Sequence, residues 1–292
     1  MDDSIKKRYK QSHVVIRFLI TVYIKIFLFI LLTLALGCQI ICIILFFPLI
    51  ICNKKARVTI LGYCFRLFMC LMWCPLNPFW KLKIIRKAKK GYKVSKTLLF
   101  CNHLSSLDPW IVNAGVIQWN LKFVFKSSLY NVPIGGQALY LSGDIPVYFT
   151  KGKGGWEVKQ GGTEEVMKLC KLYQNMNIST VVFPEGTRSI TGELQFFKTG
   201  FFRFAIENNC EILPCALHAT NNVWPIKSKL HDMGTVYFSV GEPFYPTPGM
   251  TVEQLIEKTR NSILDLIKEF PDYDPQIDKL ATEATKLRGH GL

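Results

Sequence analysis

From position 26 to position 51 the chain runs 26 residues without a charged side chain. As a helix that stretch rises ~39 Å at ~1.5 Å per residue, more than the ~30 Å of a bilayer's hydrocarbon core. A soluble fold would have to cover it on all sides, whereas a bilayer accepts it as it is, so a membrane helix is expected. The basic start (Lys6, Lys7, Arg8, Lys10) resembles the head of a signal peptide, but the apolar stretch far exceeds the ~7 to 15 residues of a signal core, which points to an uncleaved anchor. A second apolar stretch, 58–80, is interrupted by Arg66 and carries Trp73, Pro75, Pro78 and Trp80. That is the composition of a segment lying at or dipping into the interface. Residues 1–80 are therefore expected to form a membrane anchor or hairpin. Basic residues flank both stretches on every side, so the positive-inside rule assigns no orientation.

At 292 residues the chain has room for one catalytic domain of about 200 residues plus something smaller. Its 36 Lys and Arg against 21 Asp and Glu leave a formal charge of +15, which favours an anionic leaflet, a phosphate-bearing substrate or nucleic acid. No nucleic-acid reading module is recognisable, so nucleic acid is not an expected partner. Of ten cysteines, Cys38, Cys42, Cys52, Cys64 and Cys70 sit in the apolar N-terminal third, where they should pack as small hydrophobes. Cys70 and Cys74 have no companion pair to complete a zinc site, and no metal is expected. A reduced, cytosol-facing domain fits this usage.

After Lys90 short β-rich runs (97–101, 122–125, 145–149, 180–183, 212–217 and 236–240) alternate with amphipathic stretches, the pattern of an α/β domain over 81–270. The expected helix 164–173 has Thr163 as N-cap and Glu164 and Glu165 in its first turn. Thr251, Val252, Glu253 and Gln254 make a capping-box pattern. The helix they open would bury Leu255, Thr259, Ile263, Leu266 and Phe270. Residues 271–292 read as a polar tail.

The first expected strand runs into Asn102, His103, Leu104, Ser105, Ser106, Leu107, Asp108 and Pro109. Five residues apart on a straight helix, His103 and Asp108 would point ~140° away from each other at ~100° per residue, so contact needs a turn, which Ser105, Ser106 and Pro109 predict. In contact, the carboxylate would hold one imidazole nitrogen as donor and leave the other to take a proton from a hydroxyl. Asp108 before Pro109 reads equally as a plain helix N-cap. A second group follows the strand 180–183: Pro184, Glu185, Gly186, Thr187, Arg188, Ser189. Gly186 permits close backbone approach, Arg188 offers a fork that suits phosphate, and Thr187 and Ser189 add hydroxyls. The alternative is a strand-end turn with Arg188 paired to Glu185 or to solvent.

Taken together, Asn102-His103-x-x-x-x-Asp108 and, some eighty residues on, Phe183-Pro184-Glu185-Gly186-Thr187-Arg188-Ser189 resemble the lysophosphatidic acid acyltransferase (PlsC-type) family, over about residues 94–246. The resemblance implies an α/β fold with a mixed, mostly parallel sheet flanked by helices, and an N-terminal membrane two-helix element. It implies acyl-CoA as co-substrate without a further cofactor, lysophosphatidic acid as acceptor and phosphatidic acid as product. His103 would be the base and Asp108 its orienting partner. Asn102, Glu185, Gly186, Thr187 and Arg188 would belong to the acceptor site. Lys126, in Lys126-Ser127-Ser128-Leu129, and Lys198, in Phe197-Lys198-Thr199-Gly200, resemble further basic positions of the family. One departure stands out: an arginine usually found some six residues after a strand-leading glycine is missing after Gly143, where Lys151 or Lys153 would have to substitute without the bidentate fork. Acceptors such as glycerol 3-phosphate or another lysophospholipid therefore stay open, as does an inactive membrane-anchored protein that binds anionic lipid. The same resemblance implies the endoplasmic reticulum, with the catalytic domain facing the cytosol and a plastid-like or bacterial membrane as alternatives; acyl chains are expected to enter from the bilayer, since a long apolar tail then need not leave lipid. His103 and Arg188 should face one cleft.

Overall fold

The structure, a computed structural model, describes residues 11–152, 155–189, 192–271 and 273. The basic start at 1–10 and the tail beyond 273 lie outside the described residues. A long helix, α1 (Val14–Leu45), opens the described chain and breaks at Phe46, beside Pro48, into α2 (Phe47–Cys52). Asn53, whose side chain accepts from Ala56 N, caps α3 (Lys54–Cys70). After a 3-10 turn, Leu71–Trp73, the chain enters β1 (Trp80–Arg86) and then β2 (Thr97–Cys101). There follow α4 (Asp108–Gly115), β3 (Leu121–Lys126), α5 (Gly135–Ser142), β4 (Ile145–Val147), and a hairpin of β5 (Phe149–Gly152) and β6 (Gly155–Val158). The second half comprises α6 (Gly162–Asn175), β7 (Ser179–Val182), α7 (Gly200–Glu207), β8 (Glu211–His218), α8 (Thr220–Val223), β9 (Gly234–Val240) and α9 (Val252–Lys268).

Seven strands form one sheet in the order β1-β9-β8-β2-β7-β3-β4. Every pairing is parallel except β8 with β9, so β1 and β9 run against the other five and the sheet is mixed but mostly parallel. β2 and β7 are buried along their whole length, as expected of central strands covered on both faces. Alternate residues of β2 feed two cores. Leu99 and Cys101 join the side chains of α1, α3 and α4 on one face, while Leu98 and Phe100 pack with those of α6, α7 and α9 on the other. The architecture is thus helix, sheet, helix, and the carboxyl ends of β2, β7 and β3 share one edge.

Several expected elements are corrected. β1 went unread because Lys81 and Lys83 count as a basic flank, yet they alternate with the inward-facing Trp80, Leu82 and Ile84, the period of an edge strand. Helix α6 starts at Gly162 with Gly161 as its cap in a left-handed turn (φ 75°), so Thr163 lies inside the helix. Lys151, one of the two candidates for the missing arginine, lies in β5 of the β5–β6 hairpin, and Lys153 lies outside the described residues. The capping box at Thr251 and Gln254 is formed as expected, and Leu255, Thr259, Ile263, Leu266 and Phe270 are buried.

Two helices, Val14–Leu45 and Lys54–Trp73, are long and apolar enough to cross a membrane. α1 turns Phe18, Leu19, Ile26, Phe29, Ile41 and Ile44 outward. Arg66 is not at an interface: it is buried, with Nη1 donating to the Leu121 carbonyl at 2.6 Å. Tyr63 Oη reaches the Ile117 carbonyl and Asn120 Nδ2 reaches Thr59 Oγ1, both at 2.8 Å, so α3 is hydrogen-bonded onto the sheet domain.

Candidate active site

Where β2 ends, the chain turns sharply through residues 102–107 before α4. The turn is tied by the Asp108 carboxylate, whose Oδ2 accepts from Leu104 N at 2.6 Å, Ser105 N at 2.8 Å and His103 Nδ1 at 2.7 Å. Asp108 does not cap α4: that helix begins at Asp108 itself, with no side-chain cap bond. Instead the carboxylate folds back over the preceding loop. Because an ionised carboxylate only accepts, the Nδ1 facing it carries the proton, and Nε2 is left with a lone pair. The ring is stacked on Phe183 (centroids 4.3 Å apart, 21° between planes) and its side chain is 19% exposed, so part of it stays open to solvent. Asp108 has no exposed surface.

The second motif lies directly against the first. Glu185 Oε1 accepts from His103 N at 2.7 Å, Ser189 N donates to the His103 carbonyl at 2.7 Å, and Arg188 Nη1 donates to Ser106 Oγ at 2.6 Å. Parallel pairing of β2 with β7 makes this possible, since both strands deliver their carboxyl-end loops to the same edge. His103 and Arg188 are brought together as expected. Arg188 is half-buried, Thr187 is exposed, and Gly186 has φ +68°, a conformation that side-chain-bearing residues rarely adopt. A Cβ built on Gly186 would meet Lys198 Cγ at 3.4 Å, so the Lys198 stem crosses this turn. Arg188, Lys198 and Thr187 are therefore available to an anion at the rim.

Two expected ligand contacts are corrected. Asn102 is buried and spends both ends of its amide on β8, with Nδ2 donating to Leu217 O at 3.0 Å and Oδ1 accepting from Leu217 N at 2.7 Å. It fastens the strand carrying His103 and presents nothing to a ligand. Glu185 is also buried, its second oxygen accepting from Gln195 N at 3.0 Å. A carboxylate so placed would repel a phosphate and has no edge left to meet one. Burial pushes the Glu185 carboxyl up to about 7, although the two backbone N–H donors pull the other way.

Lys126 ends β3, two strands from β2 along the same sheet edge. Its Nζ lies 5.5 Å from the Phe149 ring centroid. It opens onto a cavity of about 500 Å³ lined by Ser127, Tyr130, Asn131, Tyr148 and Phe149, rather than onto the His103 loop. Asp144, in the segment that lacks the arginine, is buried and accepts from Phe123 N at 2.8 Å. Motif reading missed three contacts. Ser106 partners Arg188, Phe183 forms the face under His103, and the Trp224 carbonyl holds Ser105 Oγ at 2.8 Å. Ser106 and Phe183 lie within the motif segments, though nothing in the spacing marks their contacts; Trp224 is 119 residues from Ser105 and gave no local signal.

Comparison with known proteins finds similarity to acyltransferases. Residues 84–218 match the family profile described as Acyltransferase. The chain is 25% identical over 204 residues to a chloroplastic 1-acyl-sn-glycerol-3-phosphate acyltransferase of Brassica napus, covering 69% of this chain and 56% of that protein. It is 29% identical over 196 residues to the 1-acyl-sn-glycerol-3-phosphate acyltransferase of Saccharomyces cerevisiae, covering 65% and 60% respectively. The chain thus spans little more than half the length of the first curated relatives it matches. Among solved structures, the acyltransferase PlsC of Thermotoga maritima superposes with a TM-score of 0.54 at 20% identity, over 82% of this chain and 95% of that one, which establishes the shared fold.

Proposed function

We propose that this chain is a PlsC-type acyltransferase that moves an acyl group from acyl-CoA to the free hydroxyl of 1-acyl-sn-glycerol 3-phosphate, giving phosphatidic acid and CoA. His103 Nε2 takes the proton of the acceptor hydroxyl as its oxygen attacks the thioester carbonyl. When the tetrahedral adduct collapses, the C–S bond breaks and the imidazolium returns the proton to the CoA sulfur. Asp108 holds the ring in the tautomer this requires and stabilises the imidazolium. Arg188, with Lys198 and Thr187 beside it, takes the acceptor's phosphate and sets its hydroxyl at His103. Glu185 and Asn102 position the loop and do not touch substrate.

The observation that carries this reading is the direct bonding of the two motif loops. The 2.7 Å His103–Asp108 contact and the Arg188 guanidinium bonded to Ser106 lie within one short loop, so one glycerol phosphate can reach both. The outward apolar face of α1 supports a membrane-bound enzyme whose acyl chains need not leave lipid; the endoplasmic reticulum, with the site facing the cytosol, is proposed from the family resemblance alone. The test is product identification by lipid mass spectrometry. Membranes bearing the full chain are given oleoyl-CoA with lysophosphatidic acid, glycerol 3-phosphate or lysophosphatidylcholine. Phosphatidic acid formed from the first acceptor above the other two is the expected result. Product only from lysophosphatidylcholine would overturn the reading of Arg188 as the site of a terminal phosphate monoester.

A further inference from the structure

Outside the candidate active site, the fold gathers three thiols that the sequence scatters. Cys38 and Cys42 lie four residues apart on one face of α1, and Cys64 faces them from α3. The three sulfurs all lie within 4.8 Å of one another, and Cys42 Sγ is 3.5 Å from Cys64 Sγ. The helices are held in register at this level by Gln39, next to Cys38, whose Nε2 donates to the Leu61 carbonyl at 2.9 Å and to the Ala138 carbonyl at 3.0 Å. Leu61 is three residues before Cys64, so the bond that fixes α1 against α3 also fixes the thiols. Gln39, Ala35 and Leu61 around them are buried.

We propose that Cys38, Cys42 and Cys64 form an all-sulfur, three-coordinate site for a soft monovalent ion of the Cu(I) class. Metal–sulfur bonds of about 2.3 Å in a trigonal plane separate the sulfurs by about 4 Å, within the spread found here. Among the described residues no His, Asp or Glu joins the group. Hard ions, which need oxygen, are therefore disfavoured, and structural zinc, which wants four ligands, lacks one. The sulfurs bind such an ion as thiolates, so filling the site releases the thiol protons and uptake weakens as pH falls. Filling the site would bridge α1 to α3 and so couple the apolar helix to the sheet domain.

The test uses the full chain purified without oxygen in detergent and titrated with Cu(I) held by a chromophoric chelator. Wild-type protein is expected to withdraw one Cu(I) per chain and to melt at a higher temperature once loaded. Cu(I) uptake at the wild-type affinity should be lost in Cys64→Ser and Cys42→Ser and reduced at least tenfold in Cys38→Ser, while Cys52→Ser binds as wild type. Copper-edge X-ray absorption of loaded wild-type protein, which needs no variant to fold, should read three sulfur neighbours. Undiminished uptake by Cys64→Ser, full-affinity uptake by Cys38→Ser, two sulfur neighbours, or a Cys42–Cys64 disulfide in place of binding would each overturn the proposal.

Discussion

At Asp108 three donors converge on a single carboxylate oxygen, so its contribution is orientation of the His103 ring as well as charge. Asp108→Asn places an amide there and favours the wrong tautomer. A loss of about 10²- to 10⁴-fold in kcat with little change in acceptor KM is expected, read by steady-state kinetics. Arg188→Lys keeps the charge and loses the fork. It should raise the KM for lysophosphatidic acid about 10- to 100-fold while leaving the KM for acyl-CoA nearly unchanged. Glu185 yields a prediction in pH. Its carboxyl is shifted from the ordinary 4.5 up to about 7 in the folded chain, so between those values the folded state holds a proton that the unfolded state has released. The stability it contributes is present below about pH 4.5 and is lost as pH rises to about 7. The thermal midpoint of the wild-type protein should carry a downward component over that range that Glu185→Gln lacks. Among these residues, the His103–Asp108 contact and the nearness of Arg188 to that loop were legible because side-chain chemistry and spacing coincide. Asn102 and Glu185 were misread because sequence adjacency to a motif does not say whether a polar side chain turns to the cleft or to a neighbouring backbone, and here tertiary hydrogen bonds claim both.

Elements with a strong local signal were found and those with divided signals were not. β2, bounded by polar residues and buried on both faces, matches its expected span, and the capping box of α9 forms as read. β1 was hidden by its lysines, since an edge strand with one wet face carries the charge of a linker. α1 begins at Val14, ahead of the uncharged stretch that starts after Lys25, and Arg17 near its start is turned into the fold, with Nη2 donating to Leu230 O and Ser228 Oγ at 3.3 Å. Helix α3 shows most clearly that apolar composition does not decide what a helix touches. Its Gly62 permits the close approach of the buried Lys122, whose Nζ donates to the Val58 carbonyl at 2.7 Å. A Cβ at Gly62 would lie 2.6 Å from that Nζ and 3.0 Å from the Ser142 carbonyl oxygen. Gly62→Ala should therefore push α3 off the sheet domain, and a lower melting temperature together with new proteolytic cleavage between α3 and β1 would register it. Wild-type melting and an unchanged digest would mean that α3 is not held as described.

For the whole molecule, the expected division into an anchor over 1–80 and a catalytic domain over 81–270 has to accommodate a shared core. Ile20, Ile24, Leu31 and Met69 from the helices pack in one cluster with Leu99, Ile111 and Leu213 of the sheet domain. Each such side chain contributes about 1.5 to 3 kcal/mol of burial, so a chain starting at residue 81 loses an amount comparable to the whole margin of a typical domain, about 5 to 15 kcal/mol. That truncation should aggregate, not float free as an active soluble enzyme, as size-exclusion chromatography would show. The fold class was legible from the alternation of short apolar strands and amphipathic helices, while the docking of α3 was not, because it depends on Lys122 and Arg66 meeting carbonyls distant in sequence. The central claim, that His103 is the base acylating a phosphate-bearing acceptor at the joined loops, is tested most directly by CoA-thiol release from acyl-CoA and lysophosphatidic acid, comparing wild type with His103→Ala of matched melting temperature. The account predicts lysophosphatidic-acid-dependent release by the wild type and a loss of at least about 10²-fold in the variant. Release by His103→Ala at the wild-type rate would contradict it.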